Sequence, residues 1–110
     1  MIKQSTIFSF LDSKFNGTLE MGLPSVISNG MTCMVLKIYH NRDFVMQFLY
    51  YFETNRTSYQ VDVHLLTELS SWFDTTLYES ENVVGDWVSS KLPHLEQWKP
   101  VMKAHYAAGV

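Results

Sequence analysis

From Met31 to Leu65, apolar, aromatic and β-branched residues come in three runs broken by two short polar stretches, His40-Asn41-Arg42-Asp43 and Thr54-Asn55-Arg56-Thr57. Asn tolerates the positive φ of a two-residue hairpin turn, so each break predicts a hairpin and the three runs an antiparallel meander. With Asn41-Arg42 and Asn55-Arg56 as the loop residues, Val35 is expected opposite Phe48, Phe48 opposite Val63, and Tyr50 opposite Val61. That register gathers Cys33, Val35, Tyr39, Phe44, Met46, Phe48, Tyr50, Phe52, Tyr59, Val61 and Val63 on one face, the expected core. The other face receives Met34, Leu36, Ile38, Val45, Leu49 and Tyr51, together with the polar Gln47, Gln60, Asp62 and His64.

On either side of the meander the apolar period changes from two to between three and four. Ile7, Phe8, Leu11 and Phe15 predict a helix over 6–16, with Ser5 as N-cap, Lys14 in the last turn and Gly17 as a left-handed C-cap. Asn29-Gly30 is a strong hairpin signal, so Ser25 to Ser28 is expected to add a short fourth strand behind Pro24. After the meander, Leu65, Leu66, Leu69, Trp72, Phe73 and Leu77 predict a helix over 68–78 with Thr67 as N-cap. A second helix is expected after Ser80, with Val83, Val84, Trp87, Val88 and Leu92 as its stripe, and a last one after Pro93, broken or kinked at Pro100. The expected fold is a single α+β domain over 1–110: an N-terminal helix, a three- to four-stranded antiparallel meander, and two to three C-terminal helices packed on one sheet face. Only the N-terminal helix then remains to cover the other face.

Composition sharpens this picture. At 110 residues, 46% apolar and 17% charged, the chain is long enough for one core and rich enough in apolar residues to exclude disorder. The first fifteen residues lack the apolar run of a signal peptide, and no stretch reaches the length of a membrane-spanning helix. A lone cysteine, Cys33, excludes an internal disulfide. The expected location is cytoplasmic. Net charge is −3, but its layout is uneven: from Thr57 to Ser90 there is no Lys or Arg, while Asp62, Glu68, Asp74, Glu79, Glu81 and Asp86 all fall there.

Candidate chemistry is sparse. Asp62 and His64 alternate onto one predicted strand face with Gln47 opposite, an arrangement that could orient a general base, yet no nucleophile accompanies it. Cys33 falls on the opposite face. His94, Glu96 and His105 are interrupted by Pro100 and lack the spacing of a metal site, and no glycine-rich loop precedes a lysine as nucleotide binding requires. The sheet aromatics invite a stacking surface for single-stranded nucleic acid, but few basic residues lie near them, and core packing accounts for them better.

A small, motif-poor domain with an acidic segment and surplus apolar surface points to binding, with no catalysis, cofactor, metal or direct nucleic-acid contact. The expected function is that of an inhibitor, of the anti-defence type that phages and mobile elements direct at CRISPR or restriction complexes. It would act in a host cytoplasm by occupying a basic, nucleic-acid-binding surface of a host protein. The expected contact residues are Asp62, Glu68, Asp74, Glu79, Glu81 and Asp86, with Tyr51 on the sheet. The alternative is a cytosolic chaperone or immunity-type adaptor that grips a cognate polypeptide through its apolar sheet face and is compatible with a homodimer.

Overall fold

A computed structural model describes residues 4–29 and 31–108. In chain order it contains α1 (Gln4–Lys14), β1 (Leu19–Met21), β2 (Ser25–Asn29), β3 (Met31–His40), β4 (Asp43–Tyr51), β5 (Arg56–Val61), α2 (Val63–Phe73), α3 (Leu77–Lys91), a 3-10 turn (Leu95–Gln97) and α4 (Trp98–Ala108). The fold class is the expected α+β, with an N-terminal helix, an antiparallel sheet and C-terminal helices. β3, β4 and β5 form the meander, and β1 and β2 share the outer edge of β3. β1 has no counterpart in the expected element order. The Asn29-Gly30 turn falls partly on Gly30, which lies outside the described residues.

The first hairpin turns where expected, with Asn41 and Arg42 both at positive φ (51° and 71°) and His40 paired with Asp43. One residue later the register departs from the expected one. Tyr39 pairs with Phe44 but Ile38 pairs with Met46, so Val45 is an extra residue in β4, and from there Leu36 faces Phe48 and Met34 faces Tyr50. A bulge of one residue exchanges the faces of everything beyond it. Met34, Leu36 and Ile38 therefore join Met46, Phe48 and Tyr50 in the main core, while Cys33 and Val35 move to the other face with Leu49 and Tyr51. Tyr39 and Phe44 leave the core face together and meet edge to face, 6.2 Å between centroids.

The second hairpin also differs, without consequence for the faces. Its loop is the four residues 52–55, with Asn55 at φ 54°, so Phe48 pairs with Tyr59 and Met46 with Val61. Tyr59 and Val61 keep their expected face because the register moved by an even number of residues. Val63 and His64 are not strand residues at all. Asp62 Oδ2 accepts from the Leu65 amide at 3.2 Å and so starts α2 five residues before the expected Thr67 cap.

The helical boundaries follow their caps. α2 ends at Asp74 in the left-handed conformation, and Thr76 with Glu79 forms a reciprocal capping box that starts α3. Ser80, the expected cap, is instead fully buried inside α3 and bonded to Thr75. Ser5 lies within α1, not before it. Pro100 does not break the last helix: it occupies the first turn of α4, where its missing N–H would have no helical partner anyway.

α1 packs where α2 and α3 pack, not on the second face. Ile7 and Leu11 of α1, Leu65, Leu66 and Leu69 of α2, and Val84, Trp87 and Val88 of α3 close over the same sheet face. Trp87 fixes α1 to α3: its Nε1–H donates to Asp12 Oδ1 at 2.8 Å, and its ring packs at a tilt against Phe15, 5.6 Å between centroids. Gly85 lets α3 lie directly on β5, since a Cβ there would sit 2.9 Å from Cε2 of Tyr59. Among the described residues, the second apolar cluster, Cys33, Val35 and Leu49 with Tyr51 against it, draws on strands alone.

Candidate functional site

The acidic segment spans β5, α2 and α3, and the fold puts several of its carboxylates to local use. Asp62 caps α2. Glu68 pairs with Lys14 of α1 at 2.9 Å, so the segment's missing cation is supplied by another element. Asp86 accepts from Gln4 Nε2 at 3.0 Å, and Glu79 Oε2 accepts in return from the Thr76 amide in the capping box. Asp74, Glu79 and Asp86 nonetheless remain exposed, and Glu68 and Glu81 are half-buried. Being exposed and helix-terminal are compatible states for a carboxylate, because one oxygen can hold the cap while the charge stays in water.

Where α2 turns into α3, the structure adds a feature that periodicity missed. Trp72, Leu77 and Tyr78 were expected, in the case of Trp72 and Leu77, to face inward; they are 72%, 57% and 76% exposed. A single long helical stripe through Leu69, Trp72, Phe73 and Leu77 assumes an unbroken helix, whereas the break at Asp74-Thr75-Thr76 resets the phase for Leu77; Trp72 lies within α2 itself, where the half-buried Phe73 packs against the core in its place. The Thr76-x-x-Glu79 box was the signal that could have revealed it. The corner thus presents one Trp, one Tyr and one Leu beside Asp74 and Glu79, in a segment without Lys or Arg. Exposed Trp and Tyr offer much contact area for little lost side-chain freedom.

Tyr51 does not belong to this surface. It lies on the sheet face away from the helices, half-buried, and with Thr54, Arg56, Thr57 and Ser58 lines a depression of about 340 Å³. The two expected contact regions are therefore on opposite sides of the sheet.

The catalytic arrangement considered for Asp62 and His64 is not assembled. His64 is exposed in the first turn of α2, Asp62 is engaged as the cap, and Gln47 donates to Gln60 Oε1 at 2.6 Å and not toward His64. Both residues border a cleft of about 160 Å³ that Lys14, Asp43 and Glu68 also line. Cys33 is buried among apolar neighbours, and that burial, with Glu53 nearby, pushes its thiol up, away from the nucleophilic thiolate. Among the described residues no group of three His, Cys, Asp or Glu side chains could hold a metal ion; the side chains of Glu96 and His105 lie outside them. No described helix is long and apolar enough to cross a membrane. The chain matches no family model, no curated protein and no solved structure.

Proposed function

We propose that this chain is a protein-binding antagonist that docks its α2–α3 corner on a basic surface of another protein and masks it. The observation that supports this reading is the exposure of Trp72, Leu77 and Tyr78 within a 57–90 segment that holds six carboxylates and no Lys or Arg. The aromatics supply the anchoring area and the carboxylates the steering and the choice of partner. A basic surface whose ordinary occupant is nucleic acid is the best complement, and an anti-defence inhibitor of a CRISPR or restriction complex is the sharpest case. A chaperone or adaptor gripping its client through the strand-only cluster of Cys33, Val35 and Leu49 is the second reading, favoured by the absence of a described helix in that cluster.

The fold dictates how the charges must be tested. Asp74→Asn keeps a residue that tolerates the left-handed cap, Glu79→Gln keeps the capping box, and Asp86→Asn keeps an acceptor for Gln4, so the triple variant removes three charges and leaves their structural roles. Affinity capture from lysate is run with the wild type, with this variant, and with Trp72→Ala/Tyr78→Ala. The expected result is that both variants lose the same basic, nucleic-acid-binding protein, and that the purified chain displaces nucleic acid from it. Association should slow about tenfold or more at low salt for the triple variant. Unchanged capture by both variants overturns the reading, and binding that survives high salt moves the contact to the sheet face.

A further inference from the structure

From Met21 to Leu36 the chain carries no Asp, Glu, Lys, Arg or His, and this uncharged stretch contains β2, the outermost strand of the sheet on that side. β2 pairs with β3 along one edge, and among the described residues no strand pairs with its other edge. Val26 and Ile27 are 48% and 44% exposed, and Leu23, just before the strand, is 93% exposed. Soluble proteins usually guard such an edge with charges or a bulge; here Pro24 stands before the strand, and within it Ser25 to Asn29 has no guard.

We infer that β2 is a self-association edge, at which a second copy of this chain adds its own β2 in antiparallel register about a two-fold axis and continues the sheet across the dimer. The charge layout selects the occupant. Each copy carries net −3 with its carboxylates concentrated on the helices, so two copies repel at the α2–α3 corner and meet without charge conflict along the uncharged edge. The faces agree as well. Ile27 pairs with Cys33 and Ser25 with Val35, so Ile27 lies on the strand-only face beside the Cys33, Val35, Leu49 cluster. With the axis through Ile27, the two Ile27 side chains meet on that face and join two small apolar clusters into one, while Val26 of each copy lies across from Ser28 of the other. The corner carrying Trp72 and Tyr78 stays free in this dimer, so antagonist binding and self-association use separate surfaces.

Sedimentation velocity from about 1 to about 100 µM measures the association directly. The wild type is expected to shift from monomer to dimer over this range, and Ile27→Lys, which places two like charges at the axis, to raise the dimer dissociation constant at least about tenfold, with an unchanged melting temperature at about 1 µM, where the wild type is monomeric. The triple variant at Asp74, Glu79 and Asp86 should dimerise at least as well as the wild type, which separates this test from that of the antagonist surface. Hydrogen exchange on the wild type gives a readout independent of any variant: those amides of Ser25 to Ser28 that point away from β3 should gain protection as concentration rises. A monomer at every concentration, or a dimer that Ile27→Lys leaves intact, overturns the inference.

Discussion

The two faces of the sheet are built from the same strands and the same kinds of residue, yet one is a core and the other a small cluster. On the helix-covered face, Met34, Leu36, Ile38, Met46, Phe48 and Tyr50 meet side chains from α1, α2, α3 and α4. On the other, Cys33, Val35 and Leu49 are buried with Tyr51 at their margin, and no described helix contributes to the cluster. Apolar residues alternating along a strand cannot say which face the helices choose; one extra residue, Val45, decides it by bringing three residues of β3 into phase with β4. Among the described residues, the face that attracts the helices gains most of the tertiary burial, and the other keeps a small cluster of three buried side chains.

Truncations on the two faces test this difference. Phe48→Ala removes the aromatic ring that meets Tyr59 edge to face at 5.2 Å in the middle of the helix-covered core, and should cost about 3 to 5 kcal/mol in denaturant unfolding, most of the stability of a domain this size. A matched pair is more informative. Leu36→Ala and Leu49→Ala delete the same atoms from opposite faces; the first should cost about 4 kcal/mol and the second about 2, because the strand-only cluster has fewer neighbours to lose and can relax toward solvent. Equal costs would mean that the second face is packed as heavily as the first.

Gly85 sharpens the contrast from the helix side. Alanine is favoured over glycine in a helix by about 1 kcal/mol, so propensity alone predicts that Gly85→Ala stabilises. The ring of Tyr59 stands in the way at 2.9 Å and is itself held against Phe48, so overpacking should win and the variant should be destabilised by about 1 to 2 kcal/mol. Restored stability in Gly85→Ala/Tyr59→Ala, relative to Tyr59→Ala alone, would identify the ring contact as the cause.

The smallest effect concerns the joint between α1 and α3. Lys91, then Trp87, donate hydrogen bonds to Asp12 and hold its carboxyl below its ordinary value of 3.8. A carboxyl lowered by folding contributes stability that is present above its unfolded value and is lost as pH falls through the folded one. Acid titration of the melting temperature should therefore show a shallow extra loss below about pH 4 in the wild type, and Asp12→Asn should flatten that part of the profile. The pair is about half exposed, so the effect should be small and shrink further with salt.

Sequence determined the element types and most of their order. Period-two runs broken by Asn-Arg gave the meander, three-to-four spacing gave the helices, and the positive φ of Asn41, Arg42 and Asn55 shows that the turn chemistry was legible. The unbroken absence of Lys and Arg from Thr57 to Ser90 marks the acidic segment in the sequence itself. Tertiary structure decided what local pattern leaves degenerate. Val45 fits a regular strand and a bulge equally well until β3 and the helices compete for it, so the faces of Cys33, Val35, Met34, Leu36 and Ile38 could not be assigned from alternation. Leu77 fits an inward stripe until the caps at Asp74 and Thr76 divide the helix and turn it to solvent. In both places the deciding interaction joins residues whose local preferences are satisfied either way, and only the free energy of packing the whole chain separates the alternatives.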